Sequence, residues 1–597
     1  MNNKNTLSYI KQQILGLTGH IEEAGFPFDR VEWGKPDYTA ENGGNPGWWV
    51  YEQTAYWLDG FTRAAILLKD ETLLKRAEEI IYNVINGADT DGYLGPKFLK
   101  NANDWNRWPH VVFFRACMAL YEYNGDGKII NAMEKHYLSD KADYALGRNV
   151  INVEIMLWIY GKTGNKELFH FAEKCYNEYN EKCADDLCDK VALSDKKPYA
   201  HGVSYNEYSK LGAILFLYTK NKRYLDASVS AYEKIDKYFM LIDGCHCSDE
   251  FMINNDVMRS HETCCISDYT WSLNYLFEAT GNTEYLDKIE KCIFNAGLGA
   301  VTDDFKALQY FSCANQVIAD HRSNHNDFFK GSKWMSYRPN PGTECCPGNV
   351  NRFMPNYIMN AWKKEGDDVY LKLYAASVFD KDGIMIEEQT AYPFKDEVKL
   401  TITTDKSIKL YIRLPKGNDG YEIKENGKTI NVKEERGFAV INVNGNCEVN
   451  ITFQFSVIKH VEDNYVWFSR GAVVYANAIK TRKERDINEE RQSKDFPAYN
   501  MYAEEKWNYG VRENCEIREI GDGSIRVDGY EVEDWELEKA DDVERCVNLY
   551  DKVYVKEKGE FIFTPRLPEK PKVGAKKELK LTPYGFAKLR IAAFPVL

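Results

Sequence analysis

The chain has 597 residues, 44% hydrophobic and 28% charged, which suits a soluble globular protein too long for one compact core, with two or three domains. Its formal net charge of −14 leaves no basic surface to neutralise phosphates and argues against a nucleic-acid or anionic-membrane partner. No stretch approaches ~20 consecutive apolar residues and the opening segment has no signal-peptide core, so a cytoplasmic protein is expected.

From about residue 50 to 365 amphipathic helices alternate with short polar turns at 67–74, 123–130, 162–169, 219–226 and 279–286. Leu211, Ile214, Leu215 and Leu217 recur at helical spacing before one turn, and Tyr224 and Leu225 open the next helix. Gly and Asn in these turns suit left-handed helix C-caps. Five hairpins plus a closing helix from about Val350 to Trp362 make eleven or twelve helices. That number fits an open solenoid or a closed toroid, and the long loops between hairpins favour the toroid, whose loops can line a central pocket.

After residue 368 the period changes to two: Val398, Leu400 and Ile402 alternate with Lys399 and Thr401, as do Ile408, Leu410, Ile412 and Leu414 with Lys409, Tyr411 and Arg413. The expected architecture is therefore a helical domain over 1–365, then antiparallel β-sandwich over 366–597. The latter divides into modules at about 366–480 and 497–597, with the charged stretch 479–496 as an exposed loop. The β-modules offer a surface for a homodimer.

Two segments concentrate ligand-type residues: "CHCSDEFMINNDVMRSHETCCISD" (245–268) and "GTECCPGNVNR" (342–352). Fifteen cysteines, an odd number in a reducing compartment, read mostly as small buried hydrophobes, so those beside carboxylates and histidines are the exceptions to weigh. Glu262 and Cys264, two apart, share a side only in extended backbone. Ser267 and Asp268 suit N-caps for the next helix, which places 262–264 before it; Cys345 and Cys346 likewise fall in a loop ended by Pro347. One carboxylate and three thiolates would satisfy a tetrahedral zinc ion. Against this, adjacent cysteines are commonly packing residues, the Cys245-His246-Cys247 run is an equal rival, and no CxxC spacing is present. On spacing alone, packing outweighs metal binding.

The segments "SDEFM…HETC" (248–264) and "ECCPGNVNRFMPNY" (344–357) resemble glycoside hydrolase family 127, the β-L-arabinofuranosidase-like proteins. So do "DGYLGP" (91–96), "WPHVVFFRACMALYEYNGD" (108–126), "AHGVSYNEYSKLGAILFLYT" (200–219), "FSRGAVVYA" (468–476) and "LTPYGFAKLRIAAFP" (581–595), in the same order. The resemblance implies an (α/α)6 barrel followed by β-sandwich domains. It implies zinc held by Glu262, Cys264, Cys345 and Cys346, with Cys345 also the nucleophile and Glu250 the general acid/base. A free thiol is mostly protonated at neutral pH, whereas a metal-bound one is a thiolate able to attack an anomeric carbon. The implied reaction is retaining removal of a terminal furanosyl residue, β-L-arabinofuranose, from a small oligosaccharide or glycoside.

His110 and His201 match family positions near the sugar pocket, with a satisfied core histidine as the competing reading. Trp49, Tyr205 and Tyr310 either border a sugar face or pack in the core. His246 and His261 read as partners of the ligands or as loop residues, and Cys265 as inert. Glu344, beside the nucleophile, departs from the small or uncharged neighbours of the family. Two rival functions remain: a glycosidase using Glu250 and Asp256 with a structural zinc, and a non-catalytic carbohydrate-binding protein.

Overall fold

The computed structural model of the chain describes residues 5–35, 47–101, 106–326, 330–548 and 553–597. Six inner helices stand side by side: Trp49–Leu68, Trp108–Asn124, Val153–Thr163, Leu211–Thr219, Thr263–Thr280 and Phe353–Met359. Each packs on the next, and the sixth returns to the first, closing an (α/α)6 toroid. The inner helices are apolar on nearly every side because neighbours cover every side; Val50 through Ala65 are all buried. The outer partners are amphipathic, as in Glu71–Asn86, which buries only the stripe Leu74, Ala77, Ile80, Ile81 and Val84. The sixth outer position belongs to the N-terminal helix Thr6–Leu15, which packs on Phe353–Met359.

The turn glycines act as expected: Gly125, Gly164 and Gly281 end their helices at φ 68–72°. The turn asparagines do not. Asn165 and Asn221 are N-caps whose side chains accept from Glu167 N and Arg223 N, and Lys220 takes the left-handed position instead. The closing helix is also shorter than expected. It splits into Cys345–Asn349 and Phe353–Met359, and Trp362 already begins a strand. Pro347 sits in the first turn of the short piece, where its missing N–H has no helical acceptor to lose.

The toroid axis is filled by a buried ionic network. Arg115 pairs with Glu154 (2.6 Å) and Glu207 (2.7 Å), Arg63 with Asp59 (2.7 Å), and Arg352 with Asp59 (3.0 Å) and Asp268 (2.7 Å). With Lys210 beside Glu154 and Glu207, four bases face four acids, so each buried charge is compensated.

Beyond residue 361 the chain forms two facing antiparallel-rich sheets. One contains Asp368–Leu371, Ser407–Arg413 and Phe438–Asn444; the other Ile384–Thr390, Glu397–Thr404 and Cys447–Phe455. Leu410, Ile412 and Ile441 meet Ile386, Leu400 and Ile451 between them, the inward half of the period-two pattern. From Ile458 onward a larger sheet runs through Tyr465–Arg470, Val473–Ala478, Val573–Pro583 and Ser524–Val532, and its Arg590–Ile591 edge pairs with Asn315–Gln316 of the helical region.

The charged stretch 479–496 is not an exposed loop. Thr481–Arg485 pairs with Tyr499–Ala503, which pairs with Ile318–Ala319 of the helical region. Asp486 and Glu489 are buried against the fully enclosed Arg338, at 2.7 and 3.0 Å, and Lys333 reaches Glu489 at 2.6 Å. Its acids are satisfied by partners about 150 residues earlier, so charge does not mean solvent here. Among the described residues, no helix is long and apolar enough to cross a membrane.

Candidate active site

The toroid gathers the N-terminal ends of its inner helices at one opening; Glu262 and Cys264 come from one of those ends, and Cys345, Cys346, His201, Glu250 and Tyr310 from the short helices and connecting segments beside them. The strand Ser260–Glu262 pairs with Phe311–Cys313 and runs directly into Thr263–Thr280. The helix thus starts four residues before the expected Ser267 cap. Glu262 holds the extended N-cap conformation (φ −73°, ψ 138°), and Cys264 lies in the first turn. Ser267 and Asp268 are inside the helix and brace it. Ser267 Oγ donates to Asn349 O (2.8 Å), and Asp268 Oδ1 accepts from Arg352 Nη1 (2.7 Å). Cys345 and Cys346, expected in a loop, are the first two residues of the short helix Cys345–Asn349.

These braces bring four donors together. The Cys264 and Cys346 sulfurs are 3.3 Å apart, Cys345 Sγ is 3.5 Å from Glu262 Oε1, and all four ligand atoms lie within 4.8 Å of one another. Donors on a tetrahedral ion with ~2.3 Å bonds would be about 3.8 Å apart, inside that spread. A second set, His201, Glu250 and Glu262, shares the Glu262 carboxylate within the same 4.8 Å limit.

The electrostatics also fit a cation. Burial, reinforced by Glu250 and Cys345, pushes the Glu262 carboxyl well above its usual range. Burial raises the Cys264 and Cys346 thiols, while hydrogen bonds from those two thiols hold Cys345 well below its ordinary value. Among the described residues Glu262 Oε2 is buried with no hydrogen-bond partner, His201 Nε2 standing off at 3.8 Å. Three thiols and a carboxylate packed this closely cannot all ionise unaided, and one carboxylate oxygen lacks a donor. Sulfur-rich and acidic, with four donors close enough to share one tetrahedral ion, the set fits zinc.

Glu250 stands beside this cradle on strained backbone, with φ 69° for a residue that has a Cβ. Its carbonyl accepts from Gly202 N (2.9 Å) and Ser248 Oγ (3.1 Å). Its carboxylate accepts from Tyr310 OH on one oxygen and lies 3.2 Å from His201 Nε2 on the other. Tyr310 is backed by Trp334, ring centroids 4.6 Å apart. His201 caps the helix Gly202–Ser209, with Nδ1 3.2 Å from Ser204 Oγ. Trp49, half-buried at the start of the first inner helix, meets the Phe26 ring edge-on at 5.6 Å.

Two predicted sugar contacts are placed elsewhere. His110 is fully enclosed by Trp33, Tyr93, Phe114 and His136, and its Nε2 engages Leu94 O (2.9 Å). It is a core histidine, because packing on every side leaves no path for a sugar. Tyr205 is 3% exposed and its hydroxyl donates to Ala231 O (3.1 Å), which makes it core as well.

The other candidates separate cleanly. His261 bonds Asp243 (2.8 Å), and His246 bonds Asn206 (2.7 Å). Among the described residues Cys245 and Cys247 join no ligand group, so the rival run is packing. Cys265 is buried with its sulfur against Gly202. Asp256 pairs with Arg566 (3.1 Å) at the surface and is no partner for Glu250. Glu344 pairs with Arg491 (2.6 Å) from the charged stretch.

Sequence reasoning missed Glu52 and Arg148. Glu52 is buried in the first inner helix, accepting from Trp108 Nε1, Gln53 Nε2 (2.9 Å) and Tyr56 OH (3.2 Å), with Arg148 Nη1 at 3.4 Å. Burial raises its carboxyl, and Cys345 is among its charged neighbours. The available signal was a Glu set within the otherwise buried run 50–65.

The chain thus combines a helical toroid and β-sandwich sheets with a thiol–carboxylate cradle and a second carboxylate at the toroid's opening. The catalytic-domain model of the β-L-arabinofuranosidases of glycoside hydrolase family 127 matches residues 5–358, and that family's middle-domain model matches residues 368–457. The chain belongs to glycoside hydrolase family 127. A non-reducing end β-L-arabinofuranosidase of Bifidobacterium longum subsp. longum is 24% identical over 247 residues, covering 38% of this chain and 36% of that enzyme, so the match spans about a third of the relative's length. A solved GH127 β-L-arabinofuranosidase from Geobacillus stearothermophilus T6 superposes with TM-score 0.65 at 16% identity, over 99% of this chain and 96% of that one. A second solved glycoside hydrolase gives TM-score 0.70 at 15% identity, over 100% and 96%.

Proposed function

We propose that the chain is a zinc-dependent, retaining exo-glycosidase that removes a non-reducing terminal β-L-arabinofuranosyl residue. The observation that carries this reading is the shared Glu262 carboxylate. It touches the Cys345 thiol at 3.5 Å and belongs to the same tight group as Glu250 and His201, so a nucleophile and an acid/base face one small space. Zinc on Glu262, Cys264, Cys345 and Cys346 would supply the positive charge that keeps the thiols deprotonated.

The remaining chemistry falls to the chain. The Cys345 thiolate attacks the anomeric carbon; as the C–S bond forms and the C–O bond breaks, Glu250 gives its proton to the departing oxygen. Tyr310 and His201 hold the Glu250 carboxylate on both oxygens and fix its aim. Water then enters on the vacated side and Glu250 takes its proton. The water oxygen bonds to the anomeric carbon, and Cys345 leaves as a thiolate. Two inversions at one carbon retain its configuration.

The test is hydrolysis of an aryl β-L-arabinofuranoside by Cys345→Ser and Glu250→Gln proteins with zinc content measured in parallel. Removing the acid/base is expected to slow turnover about 10²- to 10⁴-fold. Removing the nucleophile should abolish turnover and the one-pentosyl mass increase seen on the wild-type protein during turnover. Full activity in a zinc-loaded Cys345→Ser protein would reject the nucleophile assignment.

A further inference from the structure

Between the N-terminal ends of the third and fourth inner helices, on the same rim as the thiol–carboxylate group, lies a cavity of about 220 Å³. Its walls are mainly Leu146, Val150, Ile151 and Leu187 with the rings of Trp108 and Tyr179. Arg148 and Ser204 also line it and both approach His201, Arg148 Nη2 lying 3.3 Å from its Nδ1, while the lining carboxylate Glu207 is taken up by Arg115 at 2.7 Å. Ser204 Oγ is 3.2 Å from His201 Nδ1, and the opposite nitrogen of that ring is 3.2 Å from Glu250. The cavity therefore begins one imidazole ring away from the carboxylate that protonates the leaving oxygen in the reading above, on which this inference rests.

The polar groups of the lining are already engaged. Arg148 donates to Ser204 Oγ (3.0 Å) and reaches Glu52 (3.4 Å), Tyr208 OH donates to Asn180 Oδ1 (2.7 Å), and the Cys183 thiol donates to Asp185 Oδ1 (3.0 Å). Asp143, Lys182 and Asp185 are exposed at the rim. A second sugar ring placed there would bury several hydroxyls against aliphatic walls with few free partners, whereas a flat apolar group loses nothing polar and gains contact on both faces. We propose that this cavity is the leaving-group site and that the preferred substrate carries an aromatic aglycone.

The test compares 2-phenylethyl and methyl β-L-arabinofuranosides, both of which release a simple alcohol, so the difference reads binding and not leaving-group acidity. The phenylethyl compound is expected to show a KM about tenfold lower. Leu146 is 41% exposed, so Leu146→Asp does not endanger the fold. It should raise the phenylethyl KM toward the methyl value while the methyl KM moves less than about twofold. Equal KM values in the wild type, equal shifts in the variant, or a β-L-arabinofuranosyl disaccharide binding more tightly than the phenylethyl compound would each overturn the proposal. If neither glycoside is cleaved, the activity reading fails, and calorimetry with 2-phenylethanol judges the cavity alone. Saturable binding lost in Leu146→Asp supports it, and no binding refutes it.

Discussion

Replacing Arg352 with Met tests how the site is held. The guanidinium is fully buried and donates to Asp59 Oδ2 (3.0 Å), Asp268 Oδ1 (2.7 Å) and Asn349 Oδ1 (2.6 Å). It thereby ties the first inner helix to the fifth, which carries Cys264, and to the short helix that carries Cys345 and Cys346. Without it, Asp59 keeps Arg63 at 2.7 Å, but Asp268 is left with Arg115 at 4.0 Å and an Oδ2 that has no partner even now. Burial already raises the Asp268 carboxyl to about 7 beside Arg352, so losing the guanidinium leaves it a neutral acid; a buried pair broken from one side costs about 3–5 kcal/mol, and Met fills the volume, so the lost pairing dominates. The catalytic region spans residues 5–358, and unfolding entropy of about 2 cal/mol/K per residue turns about 4 kcal/mol into a loss of roughly 5–6 °C. Differential scanning calorimetry measures that loss, and metal analysis after dialysis measures retained zinc. The expected outcome is both a lower Tm and weaker zinc retention, because the sulfurs 3.3 Å apart sit one turn above the broken tie. An unchanged Tm with stoichiometric zinc would refute the claim that this pair positions the ligands.

Two other outcomes follow from the geometry. Burial lowers His110 well below its ordinary value and His136 to about 3, so both stay neutral in the fold. Unfolded histidine titrates near 6.5; stability is therefore whole above that pH and lost as pH falls toward the folded value, by about 2 kcal/mol for His136 between pH 6.5 and 5. Urea midpoints should fall over that range in the wild type and less steeply in His136→Gln; equal slopes would contradict the buried neutral assignment. The Glu344–Arg491 pair is partly exposed and should contribute less than about 1 kcal/mol to stability. Glu344→Gln should thus barely move Tm yet lower kcat about 3- to 10-fold by freeing the residue before Cys345, and the reversed pair Glu344→Arg with Arg491→Glu should restore most of it. Loss of kcat without rescue would remove the positioning role.

The architecture was legible because two hydrophobic periods, near 3.6 and 2, change over at a definite point in the chain. Leu74, Ala77, Ile80, Ile81 and Val84 lie on one helix face, and Leu400 and Ile402 on one strand face, and each is buried on that face. What failed was local chemistry overruled by distant partners. Ser267 and Asp268 look like caps, yet strand pairing of Glu262 with Phe311 and the bond from Ser267 to Asn349 O extend the helix past them. The axis network was invisible because its members, such as Asp59 and Arg352, are 293 residues apart and individually ordinary. His110 was misplaced because a histidine in an apolar helix carries no local mark of whether it faces a pocket or the ring cluster of Trp33 and His136.

The metal cradle shows the same division at its sharpest. Spacing alone left Cys345 and Cys346 as packing residues, and nothing local distinguishes them from Cys245 and Cys247, which are packing residues. The difference lies 82 residues away, where Cys264 meets Cys346 across two helix starts. Helix N-terminal ends carry partial positive charge and unpaired N–H groups, so they tolerate thiolates and carboxylates that a helix centre would reject. A toroid points six such ends at one opening. Clustered acids are therefore cheapest there, and they stay separated from the axis, where Arg115 and Arg352 already have their four carboxylates. The fold thus sorts its buried charge into a neutral network that holds the helices together and, above it, a group of three thiols and a carboxylate whose donors lie within 4.8 Å of one another, close enough to share one cation.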